Sequence, residues 1–209
     1  KAGAEKALKL LETEQSYIEP FLKNRSRSIE TFEKKAHRVK GRPVADAIHR
    51  YYCGGTHLFH AVTLAISKDF LGADGKKRYA KQMQILLFRA QAESRYWDRQ
   101  MGKVYEAKMS RGQRAYYLDL FYTQKLKILG HCLESWHKAR LWKAYVASKD
   151  DHKYVVQITK ELESTVEAIE SRGLFRRIPQ LQIKKQTRQM RRDLIGDSAH
   201  ALYGLKLGA

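Results

Sequence analysis

Proline is scarce in this 209-residue chain, with three residues at positions 20, 43 and 179. Proline locks φ and removes an amide donor, so its absence between positions 43 and 179 leaves room for very long helices. Cysteine is scarcer still. Two residues exclude a disulfide framework, and a chain of this size does not need one. Both read as reduced thiols. No apolar run approaches the ~20 residues that cross a bilayer. The best, residues 58–66, is interrupted by His60 and Thr63, so no transmembrane segment is expected. Strand signals are missing as well, since Val62-Thr63 and Val155-Val156 are isolated pairs inside helical patterns. There is no Gly-rich phosphate loop, no H-E-x-x-H, no G-x-S-x-G and no Asp-rich metal motif. The sequence therefore reads as a protein that is not an enzyme.

Acidic residues are the last shortage. Asp and Glu total 22 against 41 Lys and Arg, a net charge of +19. Such a surplus repels itself in a compact molecule and points to a partner that neutralises it. Nucleic acid is the commonest such partner, with acidic protein and anionic lipid as the others. Hydrophobic content of 43%, with 12 Tyr, 7 Phe and 3 Trp, argues for a folded core.

The pattern predicts an all-α fold: an elongated antiparallel bundle of long helices with an N-terminal αα-hairpin and a basic C-terminal tail. A first helix is expected over 3–18, ended by Pro20, and a basic arm over 24–42. Pro43 suits the first turn of a helix running to 53, Gly54-Gly55 breaks it, and Thr56 caps the next, to about 70. A Gly72-to-Gly75 linker with Asp74 as cap leads into helices over 76–109, 112–148 and 152–171, the last closed by Gly173. Three regions follow: 1–42, helix and arm; 43–173, bundle; 174–209, basic tail.

Two groups of residues suggest polyanion binding. In the tail, Arg176, Arg177, Lys184, Lys185, Arg188, Arg191 and Arg192 occur without an acidic residue among them. Glutamines lie between them, so phosphate contact and polar contact to bases could combine there. In the second group Arg95, Arg99, Lys103, Arg111 and Arg114 alternate with Trp97, Tyr105, Tyr116 and Tyr117. Cations interleaved with rings suit phosphate contact plus base stacking, although rings at helical spacing also serve as core. The 110–114 turn would offer backbone amides at a helix start, a natural anion site.

A third group, His49, Cys53, His57 and His60, has i, i+4 and i, i+3 spacings across the Gly-Gly break, with His131, Cys132 and His137 elsewhere. These are zinc-type donors, but the spacing matches no established zinc motif. Glu134 and His137 form one E-x-x-H where a di-iron bundle needs two, so that reading is set aside. No cofactor is expected.

These readings converge on a non-catalytic subunit of a large assembly, an RNA-binding component of a mitochondrial ribosome or other ribonucleoprotein, bound to other protein subunits. Overall basicity and a first residue that is not Met favour the mitochondrial setting. The alternative is a peripheral helical scaffold in a membrane energy complex, an ATP synthase or respiratory complex, with the same charges facing protein and anionic lipid headgroups. A small metal-dependent enzyme built on the His49–His60 group is the third.

Overall fold

A computed structural model describes residues 1–24, 52–182 and 185–208, and all regular structure among them is helical. Six α-helices are described: α1 (Ala2–Gln15), α2 (Thr56–Ser67), α3 (Gly72–Glu106), α4 (Arg111–Leu141), α5 (Lys149–Ser171) and α6 (Lys185–Gly208). The expected arm, and the first helix of the N-terminal hairpin with Pro43 and His49, lie outside the described residues. No described helix is long and apolar enough to cross a membrane.

The chain divides into two units, Lys1–Ala92 with Ser135–Val155 and Glu93–Glu134 with Val156–Ala209. In the first unit α1 and α3 run the same way. Gln15 donates to Gln82 at 2.9 Å, and Ile18 packs one turn further on against Ile85 and Phe88. Arg78 clasps both Glu5 and Glu12, with N–O distances of 2.6–2.8 Å, and these bonds push its pKa further up. α2 runs back along α3. Thr63 and Tyr79 share a 2.6 Å hydroxyl hydrogen bond, and burial of that ring raises its phenol pKa.

In the second unit α3 and α4 are antiparallel. Lys125 donates to Asp98 at 2.6 Å, Trp97 stacks on Phe121, and Met101 and Val104 cluster with Leu118. α5 is antiparallel to α4 in turn, because Asp119 receives Arg172 while Lys125 lies 3.8 Å from Glu161.

Several boundaries differ from the sequence reading, for local reasons. Thr56 does not cap α2. The cap position is Gly55 at φ 76°, and the Thr56 hydroxyl donates back to the Cys53 carbonyl at 2.9 Å. The expected 72–75 linker is the first turn of α3, and Asp74 sits inside that turn. α3 continues through Gly102 for 35 residues. The helix expected to reach 148 stops at Leu141. There Lys143 takes φ 53°, its amide donates to Arg140 O at 3.0 Å, and the Ala144 amide donates to Ala139 O at 2.8 Å. That is a Schellman ending built on lysine instead of glycine. Asp69, at φ 54°, ends α2 the same way. Gly173, at φ 65°, closes α5 as expected, with the Leu174 amide reaching Ile169 O at 3.1 Å. α5 also begins three residues earlier than expected. Ser148 and Asp151 cap one another, and Tyr145 donates to Asp151 at 2.8 Å.

The segment read as a basic tail is largely α6, and it has apolar anchors of its own. Met190, Leu194 and Ala201 are buried. α6 runs parallel to α4 and approaches it closely through small residues. A Cβ placed on Gly130 would lie 2.9 Å from the Ala201 backbone, and one on Gly204 would lie 3.0 Å from the Glu134 amide nitrogen.

Candidate functional site

Arg95, Arg99 and Lys103 recur every fourth residue on α3 and are exposed, so they form one stripe about 12 Å long. Lys108 and Arg111 are exposed at the turn that follows. Arg95, Lys103, Lys108 and Arg111 enter no ion pair among the described residues. Arg114 is half-buried, with its Nε shielded from solvent, and so is less open to a ligand than the stripe.

The amides of this turn are less available than the sequence suggested. The Ser110 amide donates to Gln113 Oε1 at 3.0 Å, and the Gln113 amide donates to Ser110 Oγ at 3.2 Å. This reciprocal capping box occupies donors that an anion would otherwise use. The rings divide between two roles. Trp97 lies against Tyr96 and Phe121 at centroid distances of 4.8 and 5.4 Å, and Tyr117 contacts Tyr116 and Phe121, so these rings pack on each other. Tyr105 is 59% exposed, but two residues past Lys103 it points away from the basic row.

The second basic group is also sorted by the fold. Arg177 is half-buried and donates to Asp119 at 2.9 Å, beside Arg172, so it holds the unit together. Arg176, Arg188 and Arg192 are exposed, Arg192 donating to Gln189 at 2.8 Å, and Arg191 is half-buried. Lys185 opens α6, and Lys184 lies outside the described residues.

Of the suspected zinc donors, His57 is exposed on α2 and His60 is half-buried, hydrogen-bonded to Ser135 at 3.1 Å. Among the described residues neither belongs to a group of three converging ligand atoms. Cys53 lies in a 3-10 turn with φ 53°.

A different histidine group converges in the second unit. Lys127, His131 and Glu134 line one face of α4, and Asp193, Asp197 and His200 line the facing side of α6. Lys127 donates to Asp193 at 2.9 Å and lies 3.8 Å from Asp197. The His131 ring, fully buried, donates through Nε2 to Asp197 Oδ1 at 3.2 Å. His200 Nδ1 lies 2.5 Å from Glu134 Oε2, His131 Nδ1 lies 4.0 Å from the same oxygen, and the two rings overlap with centroids 3.9 Å apart. Sequence reasoning noted His131 and Glu134 separately and missed the group. Its signal was present: 127, 131, 134 and 193, 197, 200 repeat the same four-then-three spacing of polar side chains. Glu134 faces His131 and His200 here. His137, its E-x-x-H mate, is half-buried in the first unit, where burial and the Arg140 charge lower its pKa.

No known protein family, curated protein or solved structure matches the chain. Its class is defined by its own fold: an all-helical protein with an exposed basic stripe and a buried histidine–carboxylate cluster.

Proposed function

We propose that this chain is a non-catalytic subunit of a large assembly and that it binds RNA through the basic surface of its second unit, in a ribonucleoprotein such as a mitochondrial ribosome. The observation that carries the reading is how charge is divided in that unit. Its carboxylates are largely engaged internally: Asp98 with Lys125, Asp119 with Arg172 and Arg177, Asp193 with Lys127, and Glu161 with Ser94. Arg95, Arg99 and Lys103 are exposed, and Arg95 and Lys103 enter no ion pair among the described residues. Residues 95–114 carry six basic side chains against two acidic ones. Two guanidinium groups and an ammonium in one exposed row suit contact with successive phosphates of a nucleic-acid backbone. Membership of an assembly is supported by the outward apolar side chains of α6, where Ile195, Leu202 and Tyr203 are 49%, 69% and 43% exposed.

The test is the salt dependence of binding to a single-stranded RNA, for the native chain and for the triple change Arg95→Gln, Arg99→Gln, Lys103→Gln. Three lost phosphate contacts should reduce the slope of log K against log salt by about 2, at ~0.7 per contact. An unchanged slope and affinity would remove the stripe from the reading. Binding to anionic vesicles, with none to RNA, would transfer the same surface to the role of a peripheral scaffold in a membrane energy complex.

A further inference from the structure

We propose that His131, Glu134 and His200 bind one divalent transition-metal ion of the zinc class, with Asp197 and Lys127 holding His131 in its binding orientation. One ligand atom from each of the three residues converges with the others, all within 4.8 Å. Bonds of about 2.0–2.2 Å in a tetrahedral arrangement place donors about 3.3–3.5 Å apart, so a small adjustment of rotamers closes this group around an ion.

The hydrogen bonds give the group its direction. His131 offers its Nε2 hydrogen to Asp197, which is 3% exposed, and Asp197 in turn lies beside the Lys127 ammonium. That bond fixes the tautomer in which the Nδ1 lone pair points toward Glu134. A lone pair then faces a carboxylate oxygen 4.0 Å away, an arrangement that a cation between them stabilises. A carboxylate behind the second nitrogen of a ligating histidine is the usual outer support of such sites. His200 is 28% exposed and provides the path from solvent.

Two histidines and one carboxylate leave a tetrahedral ion a fourth position for water. Backbone spacing supports the site too. Gly130 and Gly204 bring α4 and α6 close enough for side chains of modest reach to meet.

The experiment is titration of chelator-treated full-length protein with Co(II), read by visible absorption, followed by displacement with Zn(II). One equivalent with tetrahedral absorption is expected for the native chain, and stoichiometric uptake should be lost in Glu134→Gln and in His200→Ala. Asp197→Asn should bind 10- to 100-fold more weakly, the usual loss on removing such a support. His57→Ala and His60→Ala should bind as the native chain does. Should E134Q fail to fold by circular dichroism, H200A at the solvent-facing end carries the test alone. Absence of stoichiometric uptake by the folded native chain would overturn the proposal, as would retention of the spectrum in H200A or its loss in H57A.

Discussion

Alanine at two glycines of this chain should have opposite effects, and the contrast isolates the close approach of α4 and α6. Gly102 and Gly130 both lie inside long helices without positive φ, so each loses about 0.5–1 kcal/mol of helix stability relative to alanine. Around Gly102 a Cβ meets nothing within 4 Å, so Gly102→Ala should stabilise by that amount. At Gly130 the same atom would stand 2.9 Å from both Cα and N of Ala201. These are backbone atoms and cannot swing aside, so α6 must shift by several tenths of an ångström. Overpacking of this kind costs about 1–3 kcal/mol. The propensity gain is common to both variants and cancels in their difference. Gly130→Ala should therefore be less stable than Gly102→Ala by about 1–3 kcal/mol, read from urea midpoints at matched slope. Equal stabilities would show that α4 and α6 are not held at this separation. The displacement also enlarges the gap between Glu134 and His200, so G130A should weaken Co(II) binding while G102A leaves it unchanged.

Two further outcomes follow from local geometry. Lys143 ends α4 with φ 53°, a conformation that glycine adopts without strain, so Lys143→Gly should stabilise the chain by about 1 kcal/mol; a loss of stability in urea would show that the lysine side chain contributes there. His137 has a lowered pKa, first through burial and second through the nearby Arg140 charge. Its unfolded form takes up a proton near the ordinary 6.5, while the folded form resists until lower pH. Its contribution is therefore fully present above about pH 6.5 and is lost as pH falls from there toward the folded value, levelling off below it. Melting temperatures between pH 7.5 and 5 should fall less for His137→Gln than for the native chain, and parallel curves would exclude the histidine.

Helical class was legible because it follows from residue types: few prolines, no alternating β-branched run, and apolar residues at helical spacing. Helix ends were legible only where the local chemistry was conventional. Gly173 was read correctly because glycine takes a left-handed φ without a Cβ penalty. Lys143 and Asp69 accept the same conformation at a cost; aspartate is among the residues that do so more readily, but nothing in a lysine announces it. What holds Lys143 is tertiary: Ala144 and Tyr145, just past the turn, are buried, and Tyr145 packs on Trp136 at 5.5 Å. A burial that follows the turn thus decides a boundary that propensity alone carries onward.

The polar groups were misjudged for a related reason. Charge along a sequence says how many cations exist but not which of them the fold consumes. Arg177 looked like its neighbour Arg176, yet one is bonded to Asp119 and the other is exposed, and the difference comes from a helix 58 residues earlier. By propensity alone a glycine in a helical pattern reads as a weak point. On a helix, however, positions 130 and 204 become the places where two backbones touch. That contact sets Lys127, His131 and Glu134 beside Asp193, Asp197 and His200 in the same order, because parallel helices with matched four-then-three spacings align every polar residue with an opposite number. Each half of the cluster alone resembles an ordinary solvated face. Only the pairing of two such faces through glycine makes them a buried site, which ties the proposed metal centre and the packing of α6 to the same two residues.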